Sequence, residues 1–161
     1  MLEEWRKEWC STEKGKHLRK IDSGLPSKRA QRLYGPLPRS RAYLLTQLRT
    51  GHSWLATFAK LHKFVEEDRC QCGAIETVVH VLVNCPKLRT LRQQLQRKVG
   101  DALDSIALML GGTPRNEQGN VTGRSINREV VNAVLDFADA SQRFRSREPA
   151  GSRRPGRRQR T

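Results

Sequence analysis

Apolar residues recur along most of this chain at intervals of three and four, the period of a helix with one buried face. Leu2, Trp5 and Trp9 open the pattern and predict a short amphipathic helix. Residues 11–38 lose it. Lys, Gly, Pro and Ser dominate there, Pro36 and Pro38 close the stretch, and an irregular basic connector is expected. The period returns with Ala42, Leu44, Leu45 and Leu48, which predict a helix over residues 39–49. Gly51 follows at the place where a helix end favours the left-handed conformation open to glycine. Ser53 suits the N-cap of a further helix, whose apolar surface would be Trp54, Leu55, Phe58 and Leu61.

Further on, Leu88, Leu91, Leu95 and Val99 mark one face of a helix rich in Arg and Gln that Gly100 ends. Leu103, Ile106, Ala107 and Leu110 predict a short helix stopped by Gly111-Gly112, with a polar loop to about residue 124. A last helix over about 126–143 presents Val130, Val134, Phe137 and Ala138. Beyond Arg145 nothing is left to bury, and a disordered tail is expected. No stretch alternates as a strand and no repeat is visible. The prediction is a mainly α fold: an N-terminal helix and connector (1–38), a small helical module (39–144) and a basic tail (145–161).

Charge changes the picture. The formal net charge is +15 over 161 residues, and +7 of it falls in the last twenty, where eight arginines face Glu148 alone. Such a balance draws a protein to polyanions, and arginine pairs with phosphate and stacks on bases. Arg153, Arg154, Arg157 and Arg158 in the tail are therefore candidate nucleic-acid contacts. So are Arg69, Lys87, Arg89 and Arg92 around residues 70–92. Apolar residues make up 36%, so the core is modest and a metal staple would help it. No apolar run suits a signal peptide or a membrane span, and an intracellular, nuclear location is expected.

Catalytic patterns are missing. There is no G-x-S-x-G, no glycine-rich loop after a strand, and Glu66-Glu67-Asp68 reads as a solvated turn rather than a two-metal site. His52 suits a local capping or packing role, and His17 and His62 have no nearby carboxylate or cysteine in sequence. No enzyme activity and no small-molecule substrate are expected.

The one cluster of chemistry is Cys70, Cys72, His80 and Cys85, spaced C-x-C-x7-H-x4-C. Three thiolates and an imidazole form a closed tetrahedral zinc set, with no position left for a catalytic water. The bland alternative is three small buried hydrophobes and a satisfied histidine. Gly73 would free the turn after Cys72, and Thr77 would cap a helix carrying His80 on its first turn. His80 and Cys85 differ by about 140° on an ideal helix, so both reach one ion only if that helix ends or tightens before Cys85. Cys10, sixty residues upstream, reads as an ordinary semi-buried thiol.

The string from "QLRTGH" (Gln47–His52) through Cys70-Gln71-Cys72-Gly73, Glu76-Thr77 and His80 to Cys85-Pro86 resembles the C-terminal zinc-knuckle segment of non-LTR (LINE-like) retrotransposon polyproteins, notably those of filamentous fungi. The likeness runs over about residues 5–144. It implies a CCHC zinc knuckle that binds RNA or DNA without sequence preference. The reverse-transcriptase and ribonuclease H carboxylates of such polyproteins are not found in this sequence, so their activities are not implied. Two other readings stay open: a zinc-stabilised protein-interaction module with Trp5, Trp9 and Trp54 on its docking face, and a transposon remnant without selected function.

Overall fold

A computed structural model of the chain describes residues 1–13, 15–22, 28–113 and 126–145. Eight helices are seen among them: α1 (Leu2–Ser11), α2 (Lys16–Ile21), α3 (Lys28–Tyr34), α4 (Arg39–Thr50), α5 (Ala56–Leu61), α6 (Arg89–Val99), α7 (Ile106–Met109) and α8 (Arg128–Ser141). A π-helical turn, His80–Asn84, and a tight turn, Pro86–Leu88, lead into α6, and a second tight turn, Gly100–Asp104, leads into α7. Among the described residues there is no strand, only the isolated bridges Asp22–Thr113 and Arg69–Ile75. The mainly α expectation holds. The tail beyond Arg145 and most of the polar loop (114–125) lie outside the described residues.

The core forms where α6 lies along α8, which also meets α4 and α7, while α2 packs on α4 and α7. Leu44, Leu45 and Leu48 from α4, Leu95 and Val99 from α6, and Val130, Val134, Leu135 and Phe137 from α8 share one apolar cluster. Each such side chain contributes about 1.5–3 kcal/mol on burial. Val81 and Leu82 of the π-turn belong to the same cluster, so the cysteine segment is anchored in the core. Asn127 caps α8 by accepting from the Glu129 and Val130 N–H groups at 3.1 and 3.2 Å.

Three sequence expectations need correction. The connector at 11–38 contains α2 and α3, which bury Ile21 and Leu33 respectively. Ile21 is held by Thr113, whose N–H bonds to its carbonyl at 2.9 Å, and neighbouring Asp22 pairs with buried Arg49. Ser53 does not cap α5, which starts three residues later. Ser53 is buried, and the α5 amide of Ala56 instead donates at 2.8 Å to a carboxylate from far along the chain, that of Glu76. Of the four apolar residues assigned to this helix only Leu55 is buried; Ala56 and Ala59 face the core, leaving Leu61 exposed and Trp54 and Phe58 half-buried. Ala42 is also only half-buried.

Candidate metal centre

The segment after α5 turns back on itself. Asp68 accepts from the Glu76 N–H and Ala74 accepts from the Cys70 N–H, both at 2.8 Å, which forms a narrow antiparallel loop. Its tip is a tight turn closed by the Gly73 N–H on the Cys70 carbonyl at 2.8 Å. Gly73 has φ +90° with open space around it, so backbone conformation rather than crowding requires glycine there. This turn places Cys70 and Cys72 on one side.

Thr77 then starts the second half. Its hydroxyl accepts from the His80 N–H at 3.1 Å and its carbonyl from the Val81 N–H at 3.0 Å. The helix does end at Asn84, as the His80–Cys85 step demands, but it widens rather than tightens. The Cys85 N–H bonds to the His80 carbonyl, five residues back, at 2.7 Å. One extra residue in the turn brings Cys85 under His80, a use of the π-turn that recurs at functional sites. Cys85 itself is extended, at φ −61° and ψ 118°, and Pro86 leads away.

The four ligand atoms lie within 4.8 Å of one another. Cys70 Sγ and Cys85 Sγ are 3.7 Å apart, and Cys72 Sγ is 3.3 Å from His80 Nε2. Cys70, His80 and Cys85 are buried and Cys72 is half-buried. Such a group can hold a metal ion, with all of its donors supplied by the protein. Cys10 takes no part and is exposed, not semi-buried.

The electrostatics suit ligation. Burial, then the positive charge of Arg92, lowers the pKa of His80 and so favours the neutral imidazole that binds metal. The Cys72 thiol is lowered chiefly by hydrogen bonding from the Ala74 backbone, whereas burial raises that of Cys85.

The proposed phosphate contacts fall into three groups. Lys87 and Arg89 are exposed beside the centre. Arg69 is exposed but donates to the Gly73 carbonyl at 2.7 Å, bracing the loop. Arg92 is half-buried and donates to the carbonyls of Leu82 and Cys85 at 3.1 and 2.6 Å, which makes it a clamp on the π-turn. Arg153, Arg154, Arg157 and Arg158 lie outside the described residues.

Sequence reasoning missed Glu76 as a structural centre. It is completely buried, accepts from Ala56, and pairs with Arg143 beyond α8, while its carbonyl accepts from the Thr57 hydroxyl at 2.8 Å. A carboxylate inside an otherwise apolar stretch was the available signal, since buried acids require partners. His17 also has a place: Nε2 lies 2.8 Å from the Leu48 carbonyl, and the ring rests against Gly51. No aromatic pair joins Trp54 to Trp5 or Trp9. Trp54 packs with Phe58 and Phe64, and Trp9 lies under Arg19.

No family model, curated protein or solved structure matches the chain. Among the described residues no helix is long and apolar enough to cross a membrane.

Proposed function

We infer that this chain is a non-catalytic, zinc-stapled helical module that binds nucleic acid without sequence preference, in the manner of the terminal segment of a LINE-like polyprotein. The observation that carries the reading is the Cys3His group, whose ligand atoms lie within 4.8 Å of one another beside an exposed basic surface. Around a tetrahedral zinc, sulfurs stand about 3.8 Å apart and sulfur and nitrogen about 3.5 Å apart, as bond lengths of about 2.3 and 2.0 Å require. The 3.7 and 3.3 Å separations here lie near that spacing, and the group as a whole, within 4.8 Å, would draw in slightly around an ion. Zn²⁺ with three thiolates carries one net negative charge, and Arg92, bonded to the Cys85 carbonyl, supplies a compensating positive one.

Lys87, Arg89, Arg97 and Lys98 are exposed on the turn and helix that leave the centre, and the whole chain carries +15. Phosphate contacts made by such residues release counterions, so affinity should fall steeply with salt. A nuclear location accompanies this reading. The test has two parts. Elemental analysis of purified protein should give one Zn²⁺ per chain, lost on Cys72→Ser or His80→Ala. Binding to mixed-sequence RNA and DNA should weaken in proportion to added salt on a log–log plot. A metal-free folded protein refutes the staple, and salt-insensitive binding refutes the phosphate contacts.

A protein-docking role is the second reading, favoured by the exposure of Leu61, Phe64 and Val65. Competition separates the two, because generic RNA should not displace a protein partner.

A further inference from the structure

A row of aromatic side chains lies outside the core. Trp54 meets Phe58 edge-on at 6.3 Å and Phe64 at 6.4 Å, and Phe58 lies 4.3 Å from His62. Trp54 also lines a groove of about 390 Å³ together with Ser40, Tyr43 and Gln47 of the α4 side and Asp139 and Arg145 of the α8 side. That volume lies within the range of small-ligand sites.

Gln47 is the unusual member. It is 5% exposed, and its side-chain amide, bonded to no described residue, keeps that exposure where the residue lines the groove. An amide open to the groove is free to bond a ligand there. Tyr43, by contrast, is 60% exposed.

The geometry points to this groove as a seat for an unpaired nucleobase of a single-stranded nucleic acid. This rests on the nucleic-acid reading above and names where an unpaired base would sit. Tyr43 and Trp54 offer flat π faces, on which any base stacks. The Gln47 amide carries both donors and an acceptor, the complement of a base edge. Arg145 supplies a cation for the attached phosphate. Asp139 repels phosphate but accepts from the exocyclic amino group of adenine, cytosine or guanine. Charge also sets the direction of the strand. Glu66 and Glu67 follow Phe64 and repel a backbone at that end of the row, whereas Arg145 lines the groove.

Anisotropy of a labelled strand of about twelve nucleotides, measured single-stranded and as its duplex with the zinc-loaded full chain, tests the assignment. Tyr43→Ala should weaken single-strand binding by about 5- to 150-fold, the loss of one stacked base, and leave duplex binding and the salt slope unchanged. Gln47→Leu should weaken single-strand binding while leaving Tm nearly unchanged, since the amide bonds to no described residue. A purely structural glutamine would lower Tm and leave binding by the folded chain unchanged. If the native chain binds the strand but neither substitution matters, the groove belongs to a protein segment and the proposal falls alone. Equal loss on strand and duplex also overturns it. A chain that binds neither polymer overturns both this proposal and the function it rests on.

Discussion

Glu76→Ala is the sharpest test of how the metal loop is tied to the rest of the molecule. The carboxylate joins separate parts of the chain: Oε2 accepts from the Ala56 amide at the start of α5, and Oε1 pairs with Arg143 after α8. Removing it leaves the amide unmet, a cap loss of about 0.5–2 kcal/mol. It also leaves a guanidinium without its buried partner, which costs about 3–5 kcal/mol where both charges are enclosed. Arg143 keeps 18% of its side chain exposed and can turn toward water, so the lower end applies. The two losses share one carboxylate and do not simply add. The expected destabilisation is about 3–4 kcal/mol, or a Tm lower by roughly 10 °C for a chain of this size.

Thermal unfolding followed by circular dichroism on zinc-loaded protein measures it. Glu76→Gln keeps an acceptor for Ala56 and should cost about half as much. In the double-mutant cycle with Arg143→Met, the coupling should be about 1–3 kcal/mol. Metal content should stay at one ion per chain in Glu76→Gln, because this side chain is not among the four ligands. A Glu76→Ala cost no larger than that of a surface substitution, or a cycle with no coupling, would refute the tie.

Gly112→Ala should destabilise by about 2–3 kcal/mol in the same assay, since the added Cβ would lie 2.1 Å from the Ile21 carbonyl oxygen and force α2 off the core. In chelator-treated protein Cys72 should react with iodoacetamide before Cys85, as its thiol is lowered and half-buried while that of Cys85 is raised and enclosed; peptide mapping reads the order. His80 sets the pH dependence of the same metal-free protein. Its folded pKa is below 6.5, so the unfolded chain takes up the proton first, and stability present above pH 6.5 is lost as pH falls through that window. Denaturant midpoints at neutral and mildly acid pH should diverge less in His80→Gln than in the native chain. Acid also displaces bound metal, so the loaded protein weakens in the same direction.

What the sequence made legible was what local periodicity controls. α4, α6 and α8 carry apolar residues at helical spacing over eleven to fourteen residues, and each lies where that spacing placed it. The four candidate metal ligands were legible because their residue types and close spacing are rare together. α2 and α3 escaped because six- and seven-residue helices with one fully buried side chain each leave no period to read. The cap of α5 escaped for another reason: its acceptor lies twenty residues away, and no local rule finds it. The π-turn followed from neither propensity nor spacing, although the five-residue step from His80 to Cys85 located the place where the helix had to deform.

The same distinction bears on the string "QLRTGH" through "CP". Apart from the four ligands, its buried members hold the fold. Arg49 donates to the Leu110 carbonyl at 2.5 Å and pairs with Asp22, which in turn accepts from the Thr113 hydroxyl at 3.2 Å. Gly51 takes φ +76° at the end of α4, with the His17 ring packed against it. Glu76 binds the loop to α5 and to the end of α8. Arg49, Gly51 and Glu76 thus fix the N-terminal helices, the turn after α4 and the metal loop to one core. A metal site on so small a body requires such anchoring, because four ligands from a loop and a single turn converge only if both are held from behind. Gln47 differs from these neighbours. Its side-chain amide bonds to no described residue and lines the groove between α4 and the end of α8, so the fold does not call on it as it calls on Arg49 and Glu76.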